Sequence, residues 1–231
     1  MSKPIAFIIG AGKNIGASTD RLLRSKGYRV AQAARSLDVN DASEDSLRLK
    51  VDLASADSIK HAFEEIRSKW GEPNVVIYNG AALHFAKPEV FSVSVDDFVS
   101  DLTVNTVSVY AAAAEAVKGF KKLPDTLPKV FTVTGNMLNE APLGDGSFVT
   151  LGAGKSATAH ILATATVGYK SAGYRFYYVD QRTVEGGPVL NGVDGEGHAQ
   201  MFESLIDGKE DLPWQVTFVS GTGYKKFPRK E

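Results

Sequence analysis

The hydrophobic and polar positions of the chain form two alternating patterns. Short apolar runs, which are typical of buried strands, are followed by longer stretches whose apolar residues have helical spacing. The short runs predict seven strands, at Ile5–Ile9, Tyr28–Ala33, Ser46–Val51, Val75–Tyr78, Val130–Val133, Tyr174–Val179 and Gln215–Val219. The longer stretches predict helices at Ile15–Lys26, Ser55–Trp70, Val95–Lys121, Gly152–Ser171 and Gly197–Asp207. Because strands separated by helices pair in parallel, we expect a doubly wound α/β fold, with a mainly seven-stranded parallel sheet and helices on both faces.

Length and composition are those of an ordinary folded protein. The 231 residues are 43% hydrophobic and 23% charged, which excludes a largely disordered chain and favours one domain spanning 1–231. No window approaches the roughly 20 apolar residues of a membrane span, and the first apolar run is too short for a signal peptide. We therefore expect a cytoplasmic protein with no membrane partner.

Charge and metal-binding residue types argue against two further classes of function. The 26 basic and 27 acidic residues give a formal net charge of -1, so the cationic excess of a nucleic-acid-binding protein is missing. The chain has no cysteine, and its four histidines are scattered without a metal-ligand pattern. We expect neither a nucleic-acid partner nor a metal.

A glycine-rich turn directly follows the first predicted strand. Gly10, Gly12 and Gly16 stand in the sequence GAGKNIG, which leads into the first helix. Glycine allows positive φ angles and close approach of a ligand, while a helix N-terminus offers unpaired N–H groups and a partial positive charge. At the carboxyl edge of a parallel sheet, this combination predicts a phosphate-binding site.

This turn and four further segments, in the same order and on the same elements, resemble the short-chain dehydrogenase/reductase family. The resemblance extends over nearly the whole chain, and it implies a Rossmann-like fold that binds a nicotinamide cofactor. The turn resembles the family's GxxxGxG motif, in which Lys13 and Ile15 are further loop residues and Asn14 replaces the middle glycine. Asparagine tolerates the left-handed backbone region better than other side chains, so the turn can survive this replacement.

Two segments resemble the parts of the family motif that line the cofactor site. Asp52 and Leu53 resemble the pair that contacts adenine after the third strand. The sequence of Asn79, Gly80 and Ala81 resembles the family's NNAG segment after the fourth strand. The resemblance therefore implies that these residues bind the cofactor.

The remaining matches concern the catalytic part of the motif. Tyr78 stands in place of the first asparagine of NNAG. Asn105 matches the asparagine that bends the fourth helix and holds a water in the family. Lys155 matches the lysine of YxxxK, whose ammonium binds the hydroxyls of the nicotinamide ribose. The resemblance thus implies catalytic roles for Asn105 and Lys155.

The residue after the second strand indicates which nicotinamide cofactor is preferred. An acid at this position accepts hydrogen bonds from the ribose hydroxyls of NAD(H), whereas a base pairs with the 2′-phosphate of NADP(H). Arg35 occupies this position, and Lys13 stands at a loop position that is often basic in NADP-preferring relatives. We predict that both cations contact one phosphate, with NADP(H) preferred and NAD(H) as the weaker alternative.

The family's catalytic tyrosine is missing. In the family, this tyrosine is acidified by the nearby lysine and protonates the alkoxide that forms on hydride transfer. The residue four positions before Lys155 is Leu151, which can neither donate nor accept a proton. The partner serine is absent as well, although Thr134 or Asn136 after the fifth strand can polarise a substrate oxygen. The loop 136–148 is longer than usual.

Three interpretations are open. In the first, the chain is an oxidoreductase whose substrate needs no proton, such as an iminium or another activated acceptor. In the second, the acid role has passed to Asp180, Arg182, Thr150 or Tyr178, two of which flank Gln181 where the family has Pro-Gly. In the third, the chain binds NADP(H) without turning it over and acts as a sensor or scaffold. The retained lysine and asparagine favour an enzyme.

Two further expectations concern partners. The loop 185–196 lies where family members cover a small-molecule substrate, so we expect it to act as a lid. Alanines recur at close spacing on the fourth and fifth helices, at 111–114, 116, 157, 159, 163 and 165. Because these two helices commonly form the four-helix bundle of a dimer in the family, we expect a homodimer or homotetramer.

Overall fold

The computed structural model describes residues 3–40 and 42–228, and its strands form one sheet. The strands are β1 (Ile5–Ile9), β2 (Arg29–Ala34), β3 (Ser46–Lys50), β4 (Val75–Tyr78), β5 (Val130–Thr134), β6 (Arg175–Gln181), β7 (Gln215–Val219) and β8 (Gly223–Tyr224). The helices are α1 (Ile15–Ser25), α2 (Ala56–Lys69), α3 (Val95–Leu102), α4 (Ser108–Phe120), α5 (Val149–Gly168) and α6 (Gly195–Asp207). A π-helical turn spans Thr103–Val107, and 3-10 turns span Met137–Asn139, Lys170–Ala172 and Leu190–Gly192.

The strand order places a ligand crevice at the centre of the sheet. The order is β3-β2-β1-β4-β5-β6-β7-β8, in which β1 to β7 are parallel and β8 is antiparallel to β7. The direction of winding reverses between β1 and β4, where doubly wound sheets bind ligands at the carboxyl ends of their strands. The predicted Rossmann-like α/β fold is confirmed. The prediction missed β8, because two residues are too few to give a hydrophobic pattern.

Each face of the sheet packs against its own set of helices. In β1, Ile5, Phe7 and Ile9 belong to the core under α2, α4 and α5. Ala6 and Ile8 belong to the core under α1 and α6. Since both faces are covered, the central strands β1 and β4 show no alternation of apolar and polar residues.

Side chains shift the ends of two helices from their predicted positions. Ser55 lies before α2 and caps it, since its Oγ accepts a hydrogen bond from the Ser58 N–H at 3.3 Å. The helix predicted at Gly152–Ser171 instead spans Val149–Gly168, so it begins and ends three residues earlier than predicted. Gly154 is needed inside this helix, because a Cβ there would lie 2.5 Å from the Cβ of Asn105.

The helix predicted at Val95–Lys121 is interrupted. The π-helical turn Thr103–Val107 separates α3 from α4, and Asn105 lies within it. The buried Tyr78 hydroxyl donates a hydrogen bond to the Val104 carbonyl at 2.7 Å. Hydrophobic periodicity does not reveal a π turn, because the turn adds only a local change of register to a continuous helical pattern.

The structure also bears on membranes and metals. Among the helices in residues 3–40 and 42–228, none is long and apolar enough to cross a bilayer. In the same residues, no group of three or more histidine, cysteine, aspartate or glutamate side chains is placed to hold a metal ion.

Candidate active site

An open cleft of about 600 Å³ lies where the strand order reverses. Its walls come from the segments that follow β1, β2, β3 and β4, together with part of α3. They include eight of the predicted cofactor-binding residues: Gly10, Gly12, Arg35, Asp52, Leu53, Asn79, Gly80 and Ala81. The fold therefore gathers most of the cofactor motif around one opening.

The glycines of the first turn meet different steric demands. Gly10 has a φ of +85°, and a Cβ there would lie 2.5 Å from the backbone nitrogen of Gly80. A Cβ on Gly16 would lie 2.7 Å from the Cα of Ala11. Gly12 is exposed, and a Cβ there would meet no atom within 4 Å. The first two glycines allow the backbone to pack, whereas Gly12 leaves space for a ligand.

Three other loop residues do not line the cleft. The side chain of Ile15 is buried in the core under α1, so only its backbone is available to a phosphate. Lys13 is exposed and forms no ion pair with another residue in the described ranges. Asn14 has a φ of -95° rather than the left-handed conformation that we expected. Its Nδ2 instead donates a hydrogen bond to the Val193 carbonyl at 2.8 Å.

The side of the cleft near β2 and β3 offers one cation and one tethered carboxylate. Arg35 directly follows β2, and its exposed side chain lines the cleft without an ion pair to any residue in 3–40 or 42–228. The Asp52 carboxylate accepts a hydrogen bond from the Ala54 N–H at 3.0 Å. The Leu53 carbonyl accepts one from the Ser108 hydroxyl at 2.7 Å, which ties this wall to α4.

The segment after β4 is held against the glycine turn. The Asn79 side-chain amide donates a hydrogen bond to the Gly10 carbonyl at 2.9 Å, joining the ends of β1 and β4. A Cβ on Gly80 would lie 2.1 Å from a methyl carbon of Leu53. A larger residue at this position would therefore displace the wall of the cleft near β3.

Lys155 lies on α5 beneath the end of β5. It is buried, and its Nζ donates a hydrogen bond to the Thr134 carbonyl at 2.8 Å. Burial lowers the pKa of Lys155 to about 8, although Asp180 opposes this effect. An ammonium has three N–H groups, so two remain for the ribose hydroxyls that the resemblance implies. The Thr134 hydroxyl is also buried and has no hydrogen-bond partner among the described residues.

Asn105 fixes the π turn to the wall of the cleft. Its side-chain amide donates to the Ala82 carbonyl at 2.7 Å, and its side-chain oxygen accepts from the Ala82 N–H at 3.1 Å. The backbone carbonyl of Asn105 accepts a hydrogen bond from the Thr158 hydroxyl at 2.6 Å. The side chain of Asn105 is thus engaged with backbone groups. The backbone carbonyl of Asn105 retains a second lone pair that can accept another hydrogen bond.

A smaller cavity of about 230 Å³ adjoins the ends of β5 and β6. Leu151 lines it at the position of the missing tyrosine, beside the aromatic ring of Phe148. Asn136 also lines it, and its side-chain oxygen accepts a hydrogen bond from the Leu138 N–H at 3.1 Å. The NH₂ group of Asn136 forms no hydrogen bond within the described ranges, so it is available to donate to a substrate oxygen.

Two of the four candidate substitute acids are engaged elsewhere. The Tyr178 hydroxyl donates to the Asn136 carbonyl at 2.7 Å and accepts from the Asn136 N–H at 3.1 Å. Gly135 allows this approach, because a Cβ there would lie 2.1 Å from the Tyr178 ring. Burial raises the pKa of Tyr178. The Thr150 hydroxyl donates to the His84 carbonyl at 3.4 Å, and neither side chain lines the smaller cavity.

The other two candidates belong to a buried ion cluster. The Arg182 guanidinium donates to Asp180 at 2.5 Å, to Glu140 at 3.0 Å and to the Gly186 carbonyl at 3.2 Å. Gln215 donates to the other oxygen of Glu140. Burial raises the pKa of Asp180, and the attraction of Arg182 opposes this shift. Asp180 lines the smaller cavity, so it is the one candidate acid of the four that does so.

Sequence reasoning did not assign His198 to the site. It lines the smaller cavity from α6, its Nδ1 lies 2.8 Å from the Asp194 carbonyl, and burial lowers its pKa. The ring also packs edge-on against Phe218, with centroids 4.9 Å apart. No local signal distinguishes His198 from an ordinary helical histidine, because its place in the cavity depends on how α6 packs.

The long loop 136–148 encloses a further cavity of about 360 Å³ against α5. This cavity shares Leu138, Leu143 and Phe148 with the smaller one, so the two chambers are neighbours. The side-chain oxygen of Asn139 is buried here without a hydrogen-bond partner in the described ranges. The loop therefore adds mainly apolar space beside Leu151.

Known proteins match this chain over the same elements. A family model described as enoyl-(acyl carrier protein) reductase matches residues 10–181, from the glycine turn to the end of β6. The short chain dehydrogenase/reductase dmxR12 of Cryptosporiopsis sp. (strain 8999) is 39% identical over 240 residues. This similarity covers 99% of this chain and 96% of the relative.

Solved structures share the fold at lower identity. A metagenomic short-chain oxidoreductase in complex with NADP is 18% identical, with a TM-score of 0.75, over 95% of this chain and 98% of that one. The 3-ketoacyl-(acyl-carrier-protein) reductase of Brucella melitensis, complexed with NADH, is 17% identical, with a TM-score of 0.79 and the same coverages of 95% and 98%. At these identities the likeness concerns the fold alone.

Proposed function

Since the chain belongs to the short-chain dehydrogenase/reductase family of oxidoreductases, we propose that it transfers hydride between NADP(H) and a small-molecule substrate without a catalytic tyrosine. The observation that carries this proposal is the 600 Å³ cleft, which is lined by the cofactor motif and by Arg35. We place the whole chain in one NAD(P)-binding domain. Its cytoplasmic location stays a prediction.

The residues present fit the cofactor. Gly10 and Gly16 bring the backbone into contacts that a Cβ would prevent, and Gly12 leaves the space that a pyrophosphate needs beside the start of α1. Arg35 supplies a cation that forms no ion pair with any residue in 3–40 or 42–228, which supports a preference for NADP(H) over NAD(H). Lys13 lies on the same turn, and we assign it a secondary contact with the 2′-phosphate. The bound nicotinamide would supply or accept the hydride.

The substrate site is the smaller cavity beside Leu151. Lys155 would hold the nicotinamide ribose from below, and the free NH₂ group of Asn136 would orient a substrate oxygen or nitrogen. Thr134 contributes its carbonyl to the placement of Lys155, and its hydroxyl is a second, buried donor. None of these groups replaces the proton that the family tyrosine gives. We therefore propose an activated carbonyl, an imine or an iminium-like substrate. Hydride addition to an iminium gives a neutral amine and needs no proton, whereas an imine or an activated carbonyl would take its proton from water.

A substrate panel tests this proposal. We expect NADPH oxidation with a cyclic iminium or a 1,2-diketone and negligible oxidation with cyclohexanone, because loss of a general acid lowers the rate about 10² to 10⁴-fold. Leu151→Tyr should raise ketone turnover if Asn136 reaches the substrate oxygen, and Leu151→Phe is the control of similar size. Rapid reduction of cyclohexanone by the unaltered protein would contradict the proposal and indicate a substitute acid, with Asp180 the first to examine.

The alternative function is an NADP(H)-binding sensor or scaffold. It is favoured by the absence of an acid at Leu151 and by the engagement of Tyr178 and Thr150 with backbone groups. Firm NADPH binding by calorimetry, together with no hydride transfer to any acceptor in the panel, would support this alternative over the enzyme.

We also propose a homodimer or homotetramer. Exposed apolar side chains follow one another along α3, the π turn and α4, including Val95 at 76% exposure and Tyr110 at 63%. Exposed apolar residues in a row are typical of a protein interface. Light scattering should give at least twice the monomer mass, and Tyr110→Glu should shift the protein toward the monomer.

A further inference from the structure

Two departures from the family motif lie on either side of the same segment. Asn14 replaces a glycine in the phosphate-binding turn, and Gln181 replaces a proline at the end of β6. The segment between β6 and α6, residues 182–194, is here called the β6–α6 loop. Its last residues lie between these two amide side chains.

Asn14 holds the β6–α6 loop from the side of the phosphate-binding turn. Its Nδ2 donates a hydrogen bond to the Val193 carbonyl at 2.8 Å. The first residue of α6 also packs directly on Asn14, since a Cβ on Gly195 would lie 2.3 Å from the Asn14 side-chain oxygen. A glycine at position 14 has no side chain and could not make the bond to Val193.

Gln181 holds the same loop from the sheet. Its side-chain oxygen accepts a hydrogen bond from the Asp194 N–H at 2.8 Å, and its NH₂ group donates to the Gly192 carbonyl at 3.3 Å. Gln181 is buried, so these bonds are shielded from water. A proline at this position has no side-chain donor or acceptor and could not form them.

Contacts between α1 and α6 continue this attachment. The Ser18 hydroxyl donates to Glu196 at 3.0 Å, and Arg21 forms an ion pair with the same carboxylate. Asp194 caps α6 by accepting from the Glu196 N–H at 3.0 Å, and it also accepts a hydrogen bond from Ser220. The end of the β6–α6 loop is therefore attached to α1, β6 and the residue after β7.

We propose that Asn14 and Gln181 are positioning residues that keep the β6–α6 loop docked on the phosphate-binding turn and slow the release of the cofactor. The loop lies against the turn that would hold the pyrophosphate, so opening the loop must break both sets of amide bonds. The two replacements are thus parts of one clamp. The effect on cofactor release rests on the proposed function, whereas the docking of the loop does not.

Hydrogen exchange of the cofactor-free protein tests the docking. In Asn14→Ala and Gln181→Ala, amides of residues 189–195 should exchange about 3- to 10-fold faster, because each variant removes hydrogen bonds worth about 1 kcal/mol. Asn14→Asp keeps the size of the side chain but lacks its N–H donor, so it should resemble Asn14→Ala. Asn191→Ala is the matched control, because Asn191 lies exposed in the same loop and its side chain forms no hydrogen bond with another described residue.

Release of NADPH tests the kinetic part. Displacement of bound NADPH by excess NADP⁺ in a stopped-flow fluorimeter should be about 3- to 10-fold faster in Asn14→Ala and Gln181→Ala than in the unaltered protein. The double variant should show less than the product of the two single effects, since both side chains hold one segment. Asn191→Ala should leave the release rate unchanged.

Each arm has its own contrary outcome. Equal exchange in Asn14→Ala and Asn191→Ala, with Asn14→Asp also unchanged, would overturn the clamp. Faster exchange with an unchanged NADPH release rate would overturn its control of the cofactor while leaving the docking in place. If the unaltered protein bound no NADPH, the proposed function would fail, and the exchange experiment on the cofactor-free protein would still decide the docking.

Discussion

The two halves of the candidate site differ in how closely they follow the family motif. Around β1 to β4, Gly10, Asn79 and Asp52 match the motif, and backbone contacts such as the bond from Asn79 to the Gly10 carbonyl explain why these residue types are needed. Around β5 and β6, the sequence has Leu151 where the motif predicts a tyrosine and Gln181-Arg182 where it predicts Pro-Gly. Most departures from the motif therefore lie at the ends of β5 and β6, and Asn14 of the binding half contacts the loop that follows β6.

The replacements in the chemical half are integrated into the surrounding structure. Arg182 donates hydrogen bonds to the buried Asp180, to the partly buried Glu140 and to a backbone carbonyl, and Gln181 holds the β6–α6 loop. Tyr178 reaches the backbone of Asn136 across Gly135. These contacts order the loop 136–148 and the cavity wall, so the loss of the family residues has not left an unfilled site.

The largest expected effect comes from breaking the ion cluster of the chemical half. Arg182→Met leaves the buried Asp180 and the partly buried Glu140 without this cation, so the free energy of unfolding should fall by about 3 to 5 kcal/mol. Urea denaturation measures this change. Lys69→Met, which breaks an exposed ion pair with Glu65 on α2, is the control and should lower it by less than about 1 kcal/mol. Similar decreases in the free energy of unfolding in both variants would show that the buried cluster stabilises the protein no more than an exposed ion pair.

The second-largest effect is expected from a substitution in the glycine turn of the binding half. Gly10→Ala places a Cβ against the backbone of Gly80 at a φ of +85°, and it should lower the free energy of unfolding by about 2 to 4 kcal/mol and weaken NADPH binding. Gly27 has the same φ of +85° but no atom within 4 Å of its Cβ position. Gly27→Ala therefore measures the backbone strain alone, at about 1 kcal/mol. If both variants lowered the free energy of unfolding equally, the effect of Gly10→Ala would come from backbone strain and not from contact with Gly80.

A smaller effect is expected from removing the cation that gives the binding half its preference for NADPH. Arg35→Ala should remove most of the preference for NADPH over NADH, about 10- to 150-fold in affinity, because a hydrogen bond to a charged group is worth about 1.5 to 3 kcal/mol. Calorimetry with both cofactors measures this ratio. Lys13→Ala should have a lesser effect, since Lys13 does not line the cleft. Equal affinities of the unaltered protein for both cofactors would refute the preference.

The smallest effect concerns Lys155, where the two halves meet. Burial lowers its folded-state pKa to about 8, so between pH 8 and the unfolded pKa of about 10.4 the unfolded chain holds more protons. The contribution of Lys155 to the free energy of unfolding therefore rises with pH across this window. Lys155→Met should remove this rise. At pH 7 it should stabilise the cofactor-free protein by about 1 to 2 kcal/mol, because the cost of burying the ammonium exceeds the contribution of its hydrogen bond to Thr134.

Urea titrations at pH 7 and pH 9.5 check this expectation. Lys155→Met should also weaken NADPH binding, because methionine has no ammonium group to bind the ribose hydroxyls. Lys170→Met, on the surface beyond α5, is the control and should change neither the pH dependence nor the binding. An unchanged pH dependence in Lys155→Met would mean that the ammonium is better solvated than its burial indicates.

Local pattern determined the sheet and most helices, and the resemblance of short segments to a family motif predicted the cofactor half of the site. Apolar runs such as Ile5–Ile9 place the strands, and the carboxyl ends of parallel strands meet at one edge whatever the details of packing. Spacing also located Leu151 four residues before Lys155. Strands, helices and short motifs depend on neighbours in sequence, which is why the sequence and its resemblance to the family were enough to predict them.

Tertiary structure alone decided the contacts that join distant segments. Asn14 and Val193 are 179 positions apart in the sequence, and Glu140 and Arg182 are 42 apart. No local sequence pattern could therefore predict either contact. The placement of His198 in the cavity likewise depends on how packed elements fit together, whereas the resemblance had already indicated a bend at Asn105, where the π turn lies. A hydrogen bond or an ion pair requires its partners within a few ångströms in space, and only the folded chain brings these residues that close.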